Sequence, residues 1–153
     1  MRLEFVSYAS LVLTAAVLFY AAFTDLKRHS IPNELVIVLV LLYAAHAITE
    51  KHWADIPWDV GFALLILLVL LYVYSFRWIG GGDVKLLTVA LLWAGIHCAL
   101  AFAEILLAAA TIHAAVVKII YARHPIGDEA LRMAFAPSIA VALIGVLMLG
   151  CRQ

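Results

Sequence analysis

Two aspartates are placed to do chemistry, because each marks a break in a long apolar run. Asp25 opens the polar segment Asp25-Leu26-Lys27-Arg28-His29-Ser30, and Asp83 closes Gly80-Gly81-Gly82-Asp83. Two carboxylates at close range cannot both ionise cheaply, so one keeps a proton and the pair holds an acid and a base at once. The ionised member can take a proton from a bound water, which attacks a scissile carbonyl. The protonated member can hydrogen-bond the carbonyl oxygen as charge develops. Each aspartate also has a plainer reading: Asp25 as a solvated carboxylate at a helix end, Asp83 as the cap of a glycine turn.

The elements that would have to bring them together follow from composition. The 153 residues are 67% hydrophobic and 13% charged, with a mean hydropathy of +1.11. A soluble domain is typically about half apolar and a quarter charged. A chain this short cannot hide so much apolar surface in one water-soluble core, so the lipid bilayer is its expected surrounding. Ten basic and ten acidic residues give zero net charge, and the basic ones are scattered, which argues against a nucleic-acid partner. Cys98 and Cys151 form no CxxC pair, which excludes a zinc site and calls for no metal or other cofactor. Small buried apolar thiols are favoured for them over a disulfide. The apolar run after Met1-Arg2 reaches Thr24, longer than the core of a signal peptide, and reads as a first membrane helix.

Apolar blocks fall at residues 5–24, 32–48, 60–76, 84–121 and 135–150. Pro32 suits a first helical turn, where its missing N–H is no loss. Residues 49–59 read as a polar connection whose Trp53 and Trp58 suit the headgroup layer. The block 84–121 is too long for one span of about 20 residues and about right for two, with the break near Gly95-Ile96-His97. The expected fold is all-α: one polytopic membrane domain over residues 1–153 with six transmembrane helices.

Orientation follows from lysine and arginine. The loops after helices one, three and five, with their helix ends, hold Lys27, Arg28, Arg77, Lys85, Lys118, Arg123 and Arg132, seven of ten. The other side holds Arg2, Lys51 and Arg152. The positive-inside rule then puts both termini outside and the odd loops in the cytoplasm. Asp25 ends helix one at the cytoplasmic face, and Asp83 begins helix four at the same face. Two residues 58 positions apart therefore share one membrane depth.

Ser7, Thr14, Ala21 and Asp25 fall within roughly 40° of one another on a helix, a small or polar stripe suited to close packing that turns Asp25 into the bundle. The three glycines before Asp83 let backbone, or a substrate strand, approach without side-chain interference. Asp83 at a helix N-terminus is favoured as an anion and Asp25 at a C-terminus disfavoured, while Lys27 and Arg28 pull the other way. Helix five carries His97, Glu104, Thr111 and Lys118 at a seven-residue interval, one slowly drifting stripe. A buried hydrogen-bond network is the plainer reading of that stripe, and a site-supporting role for Glu104 the sharper one. His113 falls on the opposite face and reads, with His46, as an interfacial or packing residue.

Gly80-x-Gly82-Asp83 resembles the GxGD signature of intramembrane aspartic proteases. Joined to Lys85 and to the upstream Asp25 followed by Ile31-Pro32-Asn33, the pattern is similar to the type IV prepilin peptidase family, over essentially the whole chain. Phe135-Ala136-Pro137-Ser138 resembles a family segment usually richer in proline and glycine. The resemblance implies an aspartic endopeptidase of the bacterial inner membrane, with Asp25 and Asp83 catalytic and Gly80, Gly81, Gly82, Lys85, Pro32 and Asn33 binding substrate or supporting the site. It implies a prepilin as substrate, cut at the cytoplasmic face. Larger family members also methylate the new N-terminus and carry an extra domain with paired cysteines. This chain has neither feature and resembles the short, peptidase-only form of Flp or tight-adherence pilus systems. A different class of function, a small proton- or cation-coupled transporter using paired acids, would need its acids near the midplane.

Overall fold

The computed structural model describes residues 2–28, 31–50, 54–77, 79–123 and 135–150. Among the described residues there are five α-helices and no strand: α1 (Arg2–Arg28), α2 (Asn33–Glu50), α3 (Ile56–Ser75), α4 (Gly81–Arg123) and α5 (Ala136–Met148). The described residues are therefore all-α, as the apolar blocks lead one to expect.

Several boundaries differ from the expected blocks for identifiable reasons. α1 continues past Asp25, so that carboxylate sits inside a helix and not at its final residue. α2 starts at Asn33, one residue after Pro32, whose carbonyl accepts the Leu35 N–H at 3.2 Å. α3 starts at Ile56, so the end of the polar stretch 49–59 is a helical turn and not a connection. Pro57 lies in that first turn, where a fixed φ is already helical, and the Asp59 N–H closes onto the Asp55 carbonyl at 2.9 Å.

α4 breaks at Gly95, where φ is 70° and ψ is 171°, at the break expected near residues 95–97. Contacts at its two ends show how sharply it breaks. Near its start, Gly82 lies against Ile31 and Lys85 Nζ donates to Asn33 Oδ1 at 2.7 Å. Near its finish, His113 Nδ1 and Ser138 Oγ lie 3.4 Å apart, and Ala136, two residues before Ser138, donates to Asp25. A straight helix would separate residues 83 and 113 by about 45 Å at 1.5 Å per residue. The chain instead folds back at Gly95, so the described residues form six helical segments.

The segments pack around a core in which Leu18, Leu39, Leu86, Trp93, Phe102, Ile139 and Leu143 have almost no solvent exposure. The surface is apolar as well. Ile56–Ser75 and Gly81–Ile119 are long and apolar enough to cross a membrane, and Ala9–Asp25, Asn33–Thr49 and Ala136–Met148 are shorter apolar stretches. Only 17% of the α3 stretch is buried, with Leu64, Leu65 and Leu68 more than half exposed. A soluble protein would hide such a helix; lipid tolerates it.

At the end of the bundle away from Asp25, polar groups tie the helices together. Trp93 Nε1 donates to the Leu39 carbonyl at 3.0 Å, Tyr43 meets the Trp93 ring edge-on at 5.8 Å between centroids, and Ser10 Oγ lies 3.0 Å from His46 Nδ1. Trp93→Phe keeps most of the apolar volume and loses the indole donor. It is expected to destabilise the protein by about 1–3 kcal/mol, read as a drop of several degrees in detergent-phase unfolding. Cys98 is buried just beyond the kink and is disulfide-bonded, a departure from the expected free thiol. Cys151 lies outside the described residues.

Candidate active site

Asp25 is 6% exposed, and Thr14 and Ala21 below it on α1 are fully buried, so this stripe does face the bundle. The Ser7 side chain lies outside the described residues. Asp25 Oδ2 accepts the backbone N–H of Ala136 at 3.4 Å. Local chemistry explains why that N–H is available. Residue 137 is proline and has no N–H, and the Ser138 N–H closes onto the Phe135 carbonyl at 3.0 Å. Of these first-turn groups in α5, the Ala136 N–H is directed at the carboxylate.

Asp83 is the third residue of α4. The Gly80 carbonyl accepts the Val84 N–H at 3.2 Å, which makes Gly80 the N-cap, and the Gly80 backbone in turn hydrogen-bonds the Asp83 carboxylate. That is one arm of a capping box, and it orients the side chain from its own helix. Held in this way, the Asp83 and Asp25 carboxylates lie close enough to repel one another. Asp83 sits at the N-terminus of its own helix and Asp25 at the N-terminus of α5. The dipole contrast expected from α1 alone therefore no longer separates their roles.

The three glycines have different neighbours. A Cβ at residue 80 would lie 3.1 Å from Asp83 Oδ2, and one at residue 82 would lie 3.3 Å from Ile31 Cγ1. One at residue 81 would make an ordinary 3.6 Å contact with the Tyr74 ring. Gly80→Ala is therefore expected to displace the carboxylate and cut turnover by about 10-fold or more, while Gly81→Ala stays within about threefold. Equal losses at both positions, measured on purified protein, would count against this geometry.

Lys85 and Asn33 meet at 2.7 Å on the exposed rim, fastening the start of α2 to the start of α4. Pro32 is exposed beside them. The Lys27 and Arg28 side chains lie outside the described residues. The stripe His97, Glu104, Thr111 and Lys118 is exposed along the second half of α4, so the structure does not bring Glu104 to the aspartate pair. Thr111 Oγ1 bonds its own helix at Ala108, 2.8 Å away. His113, expected at an interface or in packing, reaches the first turn of α5 through Ser138. Sequence reasoning missed the Ala136 N–H altogether. The signal was present in Pro137, which marks the first turn of a helix, where N–H groups such as that of Ala136 lack internal partners.

A model of the type IV leader peptidase family matches residues 12–149, which takes in both aspartates, the glycine run and all of α5. The chain belongs to the type IV leader peptidase family. No curated protein and no solved structure shows a significant match to it. Membership makes the chain a protease of the kind that processes prepilin-like substrates, and it agrees with two helices able to span a membrane.

Proposed function

We propose that this protein is an intramembrane aspartic endopeptidase, with Asp25 and Asp83 as its catalytic pair. It cleaves the leader of a type IV prepilin at the cytoplasmic face of a bacterial inner membrane. The observation that carries this reading is the approach of the two carboxylates at one end of the bundle, each held by a backbone N–H at a helix N-terminus. Charge supports the orientation. Six spans with both termini outside put seven of the ten lysines and arginines on the side that holds the pair. The whole chain, residues 1–153, works as one transmembrane peptidase domain.

The reaction needs one proton shared between two acids. The ionised aspartate takes a proton from a water as its oxygen bonds to the scissile carbonyl carbon. The protonated aspartate donates to the carbonyl oxygen, and a tetrahedral intermediate forms. Its collapse breaks the C–N bond: the first aspartate passes its proton to the leaving amine while a hydroxyl of the intermediate returns one to the second as the carbonyl re-forms, so the pair ends with the one proton it began with. Gly80, exposed beside Asp83, leaves room for an extended substrate strand, and Lys85, Asn33 and Pro32 form the rim on which the leader lies. Cleavage is the one reaction assigned to these residues, without methyl transfer. Co-expression with a candidate prepilin is expected to shorten it by its leader, and mass spectrometry to find an unmethylated new N-terminus. An uncut prepilin beside correctly inserted enzyme would overturn the assignment.

A further inference from the structure

The turn between the two halves of α4 is held by a side chain from another helix. Asp59, in the first turn of α3, is 3% exposed. Its Oδ1 accepts the Ile96 N–H at 3.3 Å, and its Oδ2 accepts the Tyr43 hydroxyl at 3.2 Å. Ile96 is the first residue after the break, where a resuming helix has N–H groups without internal partners. A carboxylate there caps the second half of α4 and meets the positive end of its dipole. The fit is tight: a Cβ at residue 95 would lie 2.7 Å from Asp59 Oδ1. Through Tyr43 the same carboxylate is tied to α2, which also holds Trp93 through the Leu39 carbonyl.

We propose that Asp59 is a positioning residue for the peptidase reaction, setting the angle at which residues 81–94 leave the Gly95 turn and so the approach of Asp83 to Asp25. This rests on the aspartate pair being the catalytic one. Asp83 stands twelve residues from the turn, so a tilt of about 5° there moves it by about 1.5 Å. A misplacement of about 1 Å in a reacting group can lower turnover by about 100-fold. The first half of α4 is pinned at its other end by Lys85 and Asn33, but that exposed contact does not fix an angle at the opposite end of the bundle.

The test compares Asp59→Leu, Asp59→Asn and Tyr43→Phe in detergent, with rates normalised to the folded fraction from gel filtration. Asp59→Leu is expected to lose about 30-fold or more in kcat with KM within about twofold, because the substrate rim is untouched. Asp59→Asn keeps an oxygen for the Ile96 N–H and is expected to recover to within about fivefold of wild type. Tyr43→Phe removes one tie and is expected to cost about 3- to 10-fold in kcat. Folded Asp59→Leu protein with wild-type kcat overturns the proposal, as does Asp59→Asn protein as impaired as Asp59→Leu. Should Asp59→Leu not fold, an unchanged kcat in Tyr43→Phe overturns it. Asp25→Asn and Asp83→Asn run alongside. If either stays active, the catalytic reading falls first; if both are inert beside an active Asp59→Leu, the positioning role alone falls.

Discussion

Asp83→Asn and Asp25→Asn enzymes are each expected to lose at least about 10³-fold in leader cleavage while inserting and unfolding like the wild type. General acid–base steps contribute about 10² to 10⁴, and each aspartate is assigned both a protonated and an ionised form within one cycle. Asparagine keeps the shape. At residue 25 its amide oxygen still accepts the Ala136 N–H, and at residue 83 it still reaches the Gly80 backbone, so the helix ends stay capped. What asparagine loses is the proton transfer. The readouts are the size shift of a co-expressed prepilin and the thermal unfolding of the purified variants. A loss of activity that tracks a loss of folded protein would instead make these two aspartates caps and nothing more.

The second large effect is on stability and lies far from the pair. Gly95→Ala puts a side chain on a residue with φ of 70° and ψ of 171°, a region that is essentially glycine's alone. It also drives that side chain to 2.7 Å from Asp59 Oδ1. Backbone strain of about 1–3 kcal/mol adds to the contact, and together they remove a sizeable part of a domain's net stability of about 5–15 kcal/mol. Unfolding about 10 °C lower, or loss of the protein from the membrane, is the expected outcome. The control is Gly61→Ala in α3, where a Cβ would meet nothing within 4 Å. There, alanine's better helix propensity of about 1 kcal/mol is expected to leave stability unchanged or raised. Equal damage at both positions would show that the Gly95 turn is not what the substitution disturbs.

Much of the site is legible in the chain itself, and what is not has physical reasons. Asp25 and Asp83 stand out because an acid at the edge of an apolar run is costly, and counting spans and loop charges leads one to expect them at one end of the bundle, where the structure does bring their carboxylates close together. The inward stripe on α1 is equally direct, since Thr14, Ala21 and Asp25 obey helical spacing and all three are buried. Gly95 breaks α4 where block length requires a break. Asp59 was hidden, because a carboxylate beside Pro57 in a polar stretch reads as a loop residue. Its role depends on where the Ile96 N–H points after a turn elsewhere in the chain. Sequence shows Asp25 only beside the dipole of its own helix, whereas the contact that matters comes from α5. The seven-residue stripe through Glu104 illustrates the opposite limit. Periodicity says that four residues share a face, and the fold turns that face outward.

Whether Asp25 and Asp83 act as one unit is measured most directly by a double-mutant cycle on leader cleavage. Groups that share one proton fail together, so the Asp25→Asn/Asp83→Asn double variant is expected to cleave at the same residual rate as either single variant. A double variant slower than both by the product of their separate losses would show two independent contributions. A single variant within about 10-fold of wild type would contradict the pair outright.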